Sequence, residues 1–178
     1  MTNPPRGAFI QRDKKSYAIV PRISGGLVTP DFLENIARVA RKYNVPLIKL
    51  TSAQRLALVG LNPEDVEKIW QELGVDVSPA VGPCVHYVKA CPGTAACRFG
   101  VLDSLGLGLR LEKEFLGMDL PAKVKVGVSG CPNKCGEAYV RDIGLFGKKS
   151  GWTLIFGGNS GARPRIGDII AENLSDDQ

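Results

Sequence analysis

Four cysteines arranged as two pairs constrain this chain more tightly than any other feature. Cys91-Pro-Gly-Thr-Ala-Ala-Cys97 and Cys131-Pro-Asn-Lys-Cys135 give a C-x5-C spacing, then 33 residues, then C-x3-C. Each pair sits in a loop that follows strand-like sequence and leads toward helical sequence, a setting that turns backbone N–H groups toward an anionic centre. Pro92 and Pro132 stiffen the turn after the first cysteine of each pair. Gly93, Gly130 and Gly136 are expected to bring the backbone close to a bulky inorganic group. The fifth cysteine, Cys84, lies outside the pattern and reads as a buried thiol. An odd cysteine count argues against a disulfide framework. Four thiolates suit the soft iron of an iron–sulfur cluster. A structural zinc site is the alternative, although only the C-x3-C arm has the usual zinc spacing.

Composition narrows the setting. With 44% hydrophobic and 23% charged residues, the 178-residue chain has the balance of a soluble globular protein. No apolar run approaches the roughly 18–20 residues that cross a bilayer. Residues 1–15 are polar and lack the apolar core of a signal peptide. The expectation is a cytoplasmic protein without a membrane anchor. The net charge of +5 suits small anions or an acidic protein partner. The lysines and arginines are scattered without a nucleic-acid-binding motif, so nucleic acid is not expected.

The pattern of elements is α+β. Residues 17–23 are β-rich. Thr29-Pro30-Asp31 opens a helix with proline at its start, and Phe32, Leu33, Ile36, Val39, Ala40 and Tyr43 share one face. Residues 47–51 and 55–59 read as short strands. Asn62-Pro63-Glu64-Asp65 begins a second helix that stops at Gly74, and residues 75–77 read as a closing strand. The order strand, helix, strand, strand, helix, strand is the ferredoxin-like split βαβ pattern. In the second half, residues 103–115 read as a helix. Residues 123–129, 142–146 and 152–156 read as strands, and 167–173 as a short final helix. This organisation divides the chain into an N-terminal tail (1–15), a ferredoxin-like half-domain (16–78) and a cysteine-bearing domain (79–178).

Together the motifs resemble those of the sirohaem-dependent nitrite and sulfite reductases. The resemblance is carried by residues 90–100, by Ser129-Gly-Cys-Pro-Asn-Lys-Cys-Gly136, by Asp142-Ile-Gly-Leu-Phe-Gly147 and by residues 157–165. Leu50-Thr-Ser-Ala-Gln-Arg-Leu-Ala-Leu-Val-Gly60 extends it into the ferredoxin-like half. The resemblance implies that Cys91, Cys97, Cys131 and Cys135 hold a 4Fe–4S cluster. It also implies that Cys135 bridges this cluster to the iron of a sirohaem, making one electron relay.

The reaction implied is the six-electron reduction of sulfite to sulfide, with nitrite reduction to ammonia by the same centre as the alternative. A non-catalytic sirohaem and iron–sulfur electron-transfer or assembly protein is the further alternative. An anionic substrate needs fixed positive charge. Lys123 and Lys125 lie two apart on a strand, so they share a face, and they match the family's K-x-K pair. Arg55 is the third candidate. Many relatives carry arginine where this chain has Ala53, and Gln54-Arg55 is closer to nitrite reductases linked to nicotinamide-oxidising modules. Thr51, Gln54, Arg98, Asn133, Asn159, Arg163 and Arg165 are the candidate contacts to the sirohaem carboxylates. His86, the single histidine, is expected to be structural. No G-x-G-x-x-G is present, so electrons are expected from a separate donor such as a ferredoxin. Large family members carry two copies of this unit and this chain carries one. Either a homodimer in which each chain completes the other's sirohaem pocket, or a minimal monomer with a more exposed haem, is therefore expected.

Overall fold

The computed structural model describes residues 4–79 and 81–178. The chain divides into two compact units, Met1–Gly82 and Pro83–Gln178.

In the first unit, Thr29 caps helix α1 (Pro30–Lys42): its Oγ1 accepts the Phe32 N–H at 3.1 Å. Ile36, Val39 and Ala40 of α1 are buried, and Phe32 and Tyr43 pack beside them. Leu33, expected on the same face, stays 46% exposed. Helix α2 (Val66–Leu73) ends at Gly74 in the left-handed conformation, with φ 62°. The helices cover a sheet of β1 (Ala8–Ile10), β2 (Tyr17–Ile19), β3 (Leu47–Leu50) and β4 (Leu56–Leu61), ordered β1-β2-β4-β3 and antiparallel throughout. Ile19, Val39, Leu58, Val66 and Ile69 form the buried centre.

Two expectations for this unit need correction. The closing strand at residues 75–77 is reduced to a single bridge between Pro21 and Val77. The N-terminal stretch read as a tail contributes β1, which takes the place beside β2 that a closing strand would fill. Three residues after Gly74 offer too little length to compete with a hairpin already paired along Ala8–Ile10.

The second unit has a five-stranded sheet in sequence order: β5 (Val85–Ala90), β6 (Val124–Ser129), β7 (Ile143–Lys148), β8 (Gly151–Phe156) and β9 (Asp168–Leu174). The first three are mutually parallel and the last two antiparallel. Helix α3 (Ser104–Phe115), capped by Asp103 on the Gly106 N–H at 2.9 Å, crosses over from β5 to β6. Val88, Ala90, Val126 and Val128 face Leu107 of α3 in the core. The expected final helix at 167–173 is instead β9. Asp168-Ile-Ile-Ala-Glu-Asn-Leu174 has consecutive β-branched residues, and pairing with β8 overrides a short helical pattern. No helix among the described residues is long and apolar enough to cross a membrane.

Candidate iron–sulfur site

Parallel pairing brings the cysteine loops together. Ala90 lies opposite Val128 in the β5–β6 register, so Cys91 and Cys131 leave the carboxyl ends of neighbouring strands. The Cys91 N–H donates to the Val128 carbonyl at 3.1 Å, which docks the first loop on the second strand. The Gly130 N–H donates to Cys91 Sγ at 3.2 Å, and the Gly130 carbonyl accepts from Val101 and Leu102 at 2.8 and 3.0 Å. Ser104, fully buried at the start of α3, donates its hydroxyl to the Cys91 carbonyl at 2.8 Å and lies 3.2 Å from Cys91 Sγ. Cys97 closes a tight turn, its N–H on the Gly93 carbonyl at 2.9 Å. Cys131 is buried, Cys91 and Cys97 are half-buried, and Cys135 is exposed.

All five cysteines are free thiols. Among the described residues, no three His, Cys, Asp or Glu side chains are grouped closely enough to hold a metal ion. The chemistry of the donors suits a cluster: the thiols are unpaired, and Cys91 Sγ already accepts a backbone N–H, the kind of contact that tunes cluster sulfurs. The glycines also let the protein pack closely on itself. A Cβ on Gly130 would stand 2.6 Å from the Leu102 carbonyl oxygen and 2.7 Å from Gly93 Cα. One on Gly136 would stand 2.2 Å from the Val128 carbonyl oxygen. Glycine is demanded there by the close approach of protein to protein.

The other candidate residues fall in both units. Thr51, Gln54 and Arg55 form the β3–β4 turn of the first unit, where Thr51 Oγ1 bonds the Arg55 carbonyl at 3.0 Å. The Arg55 guanidinium is buried and donates to Ser78 Oγ at 2.8 Å and the Pro79 carbonyl at 3.2 Å. In the second unit, Lys123 is exposed at the entry to β6 and Lys125 is half-buried within it. Arg98 is exposed and lies over the Phe99 ring at 4.6 Å, and Asn133 is exposed between Cys131 and Cys135. Asn159 and Arg165 exchange backbone bonds at 2.9 and 2.8 Å, making a hairpin with exposed Arg163 in its loop. Arg165 also donates to the Gly157 carbonyl at 2.8 Å and to Asp168 at 2.5 Å. His86 and Cys84 are buried in the second unit, and burial pushes the Cys84 thiol up from its ordinary pKa.

Sequence reasoning missed a charged group on the sheet face opposite α3. Lys89 Nζ meets Glu137 Oε1 at 2.8 Å, and Arg141 binds the other oxygen of Glu137. Burial, and then the charge of Arg141, hold the Lys89 ammonium below its ordinary pKa. The alternation of Tyr87 and Lys89 along β5 is the one sequence signal for this group; Glu137 and Arg141 carry none.

An α+β half-domain and a mixed-sheet unit with paired cysteine loops are the parts of an iron–sulfur redox module. Comparison with known proteins makes this specific. Residues 81–178 match the nitrite and sulphite reductase 4Fe–4S domain, and residues 9–75 match the nitrite/sulfite reductase ferredoxin-like half domain. The chain belongs to the nitrite and sulfite reductase family.

Over all of its 178 residues it is 63% identical to an assimilatory-type sulfite reductase of Nitratidesulfovibrio vulgaris, covering 82% of that protein. Over 163 residues, 92% of the chain, it is 44% identical to the NAD(P)H nitrite reductase of Bacillus subtilis, but spans only 20% of that protein. The fold is shared with the Mycobacterium tuberculosis NirA protein at a TM-score of 0.74 and 20% identity, over 86% of this chain and 30% of that one.

Proposed function

We propose that this chain catalyses the six-electron reduction of sulfite to sulfide at a sirohaem coupled to a 4Fe–4S cluster. The carrying observation is the meeting of the two cysteine loops at the ends of β5 and β6, with Cys91 Sγ already accepting the Gly130 N–H. The full-length similarity to an assimilatory-type sulfite reductase supports sulfite as the substrate.

Cys91, Cys97, Cys131 and Cys135 are the ligands in this reading. Cys131 is buried and Cys135 is the exposed member; Cys135 would be the thiolate nearest the sirohaem. When bound, the coupled pair would supply the electrons for reduction of the anion. Lys123 at the entry to β6 and Lys125 within it attract and hold the anion and lend positive charge as its oxygens leave as water. Arg55 is the third cation, its guanidinium held by Ser78 and Pro79 in this structure. Thr51, Gln54, Arg98, Asn133, Asn159, Arg163 and Arg165 supply donors to the sirohaem carboxylates. Electrons come from a separate donor protein, for which the chain's net positive charge suits an acidic partner. Two chains associate to complete each pocket. Nitrite is the second substrate, favoured by the 44% identity to a nitrite reductase.

The test is the absorption spectrum of anaerobically purified protein, followed by turnover with an artificial reductant. A red isobacteriochlorin band that shifts on adding sulfite, with sulfide released, is the expected result. Iron and acid-labile sulfide without such a band, and without turnover, would reduce the chain to an electron-transfer or assembly protein.

A further inference from the structure

The turn that carries Cys135 is strained and held by side chains that the proposed reaction does not use. Lys134 and Glu137 flank it with φ of 56° and 64°. For residues with a Cβ this left-handed conformation is disfavoured and persists only where the surroundings over-determine it. Each residue is anchored by its own side chain. The Lys134 ammonium donates to the Pro132 carbonyl at 2.6 Å and lies 4.7 Å from the Phe146 ring and 5.2 Å from the Tyr139 ring. The Glu137 carboxylate takes Lys89 on one oxygen and Arg141 on the other. Arg141 is 6% exposed, and its second terminal nitrogen donates to Tyr87 Oη at 2.9 Å.

The group is built over one bare position of the sheet. Lys89 is the register partner of Gly127. A Cβ on Gly127 would stand 2.4 Å from the Gly136 carbonyl oxygen and 2.9 Å from Arg141 Cγ. Gly127 thus lets the backbone just after Cys135 and the stem of Arg141 lie flat on β6, where Lys89 reaches from β5 to close the clamp on Glu137.

We propose that Lys89, Glu137 and Arg141 are positioning residues for Cys135. They fix the turn so that its thiolate meets the cluster in one geometry. The inference rests on the reading of Cys135 as a cluster ligand.

The test uses the anaerobically purified holoprotein with Glu137→Gln, Lys89→Met and Lys89→Arg. Iron and acid-labile sulfide per chain report occupancy; the midpoint potential and electron paramagnetic resonance spectrum of the reduced cluster report ligand geometry. Removing a negative and a positive charge would move the potential in opposite directions if charge acted directly. Loss of a clamp instead moves it the same way in both variants. The expected result is wild-type occupancy, a common direction of shift and broadened lines in Glu137→Gln and Lys89→Met, and a wild-type spectrum in Lys89→Arg. Opposite shifts, or spectra and potentials unchanged from wild type, overturn the proposal. Cys135→Ser separates the two readings. If it retains the wild-type cluster, the ligand assignment falls and takes the clamp with it. If it loses the cluster while Glu137→Gln and Lys89→Met match wild type, only the clamp falls.

Discussion

Gly130→Ala is the sharpest test of how the two cysteine loops are assembled. The added methyl would lie 2.6 Å from the Leu102 carbonyl oxygen, 2.7 Å from Gly93 Cα and 3.0 Å from Ser104 Oγ. Two of these neighbours are backbone, so relief requires the loops to separate by about 1 Å, against an ordinary contact near 3.5 Å. Overpacking of this kind costs about 1–3 kcal/mol. The shift also disturbs the bonds from Val101 and Leu102 to the Gly130 carbonyl, each worth about 1 kcal/mol net. A loss of roughly 3 kcal/mol follows, a large share of the ~5–15 kcal/mol that holds a domain together. With a urea slope of about 2 kcal/mol/M, the midpoint falls by ~1.5 M. Iron and sulfide content should fall with it, because the same movement carries Cys91 away from the Gly130 N–H. Gly117→Ala is the control. Its Cβ meets nothing within 4 Å, so only the left-handed φ of 80° is penalised, at about 1 kcal/mol. Urea unfolding followed by circular dichroism, with iron determined on the same samples, reads both effects. If Gly130→Ala binds a full complement of iron and unfolds no earlier than Gly117→Ala, the loops are not held by close backbone contact and the reasoning is wrong.

Three further outcomes are expected. Ser104→Ala removes the buried hydroxyl on the Cys91 carbonyl; it should cost about 1–3 kcal/mol, read as an earlier urea midpoint. Glu72 joins α2 to α1 through Lys42, Tyr43 and Arg38, and those bonds hold its carboxyl down at about 2. A depressed carboxylate stabilises the fold above its unfolded value and loses that contribution as pH falls through the folded one. Stability of the wild type should therefore decline between about pH 4.5 and 2 more steeply than that of Glu72→Gln, and equal slopes in acid unfolding would exclude the linkage. Asp176→Asn weakens the contact that accepts the Trp152 indole N–H at 2.7 Å; tryptophan emission should shift to the red, and no shift would mean the C-terminal residues do not cover that ring.

The elements that sequence made legible are those with local signals. Thr29-Pro30 opens α1 and Gly74 closes α2 because a cap and a left-handed stop act within one turn. The paired cysteines announced the chemistry because C-x5-C and C-x3-C are local too. What escaped depends on partners distant in sequence. Residues 168–174 became β9 because β8 was there to pair with. Residues 75–77 lost their place because Ala8–Ile10 occupied it. Glu137 and Lys89 stand 48 positions apart, and only the β5–β6 register and the bare surface of Gly127 bring them together. Gly130 and Gly136 were visible as glycines, but the reason for them, carbonyl oxygens of the same protein, was not.

The parallel pairing of β5 and β6 has a consequence for biosynthesis. Parallel neighbours need a long crossover, here residues 91–123 with α3 inside it. Closing such a link costs chain entropy before any strand contact repays it. During synthesis the first cysteine pair is made before the second. Until β6 docks beside β5, the chain offers two unrelated half-sites, each with two reduced thiols at short spacing and open to oxidation or stray metal. In the proposed reading, a cluster held by all four thiols is complete only once β6 has docked beside β5. Timing of maturation is thus written into the topology.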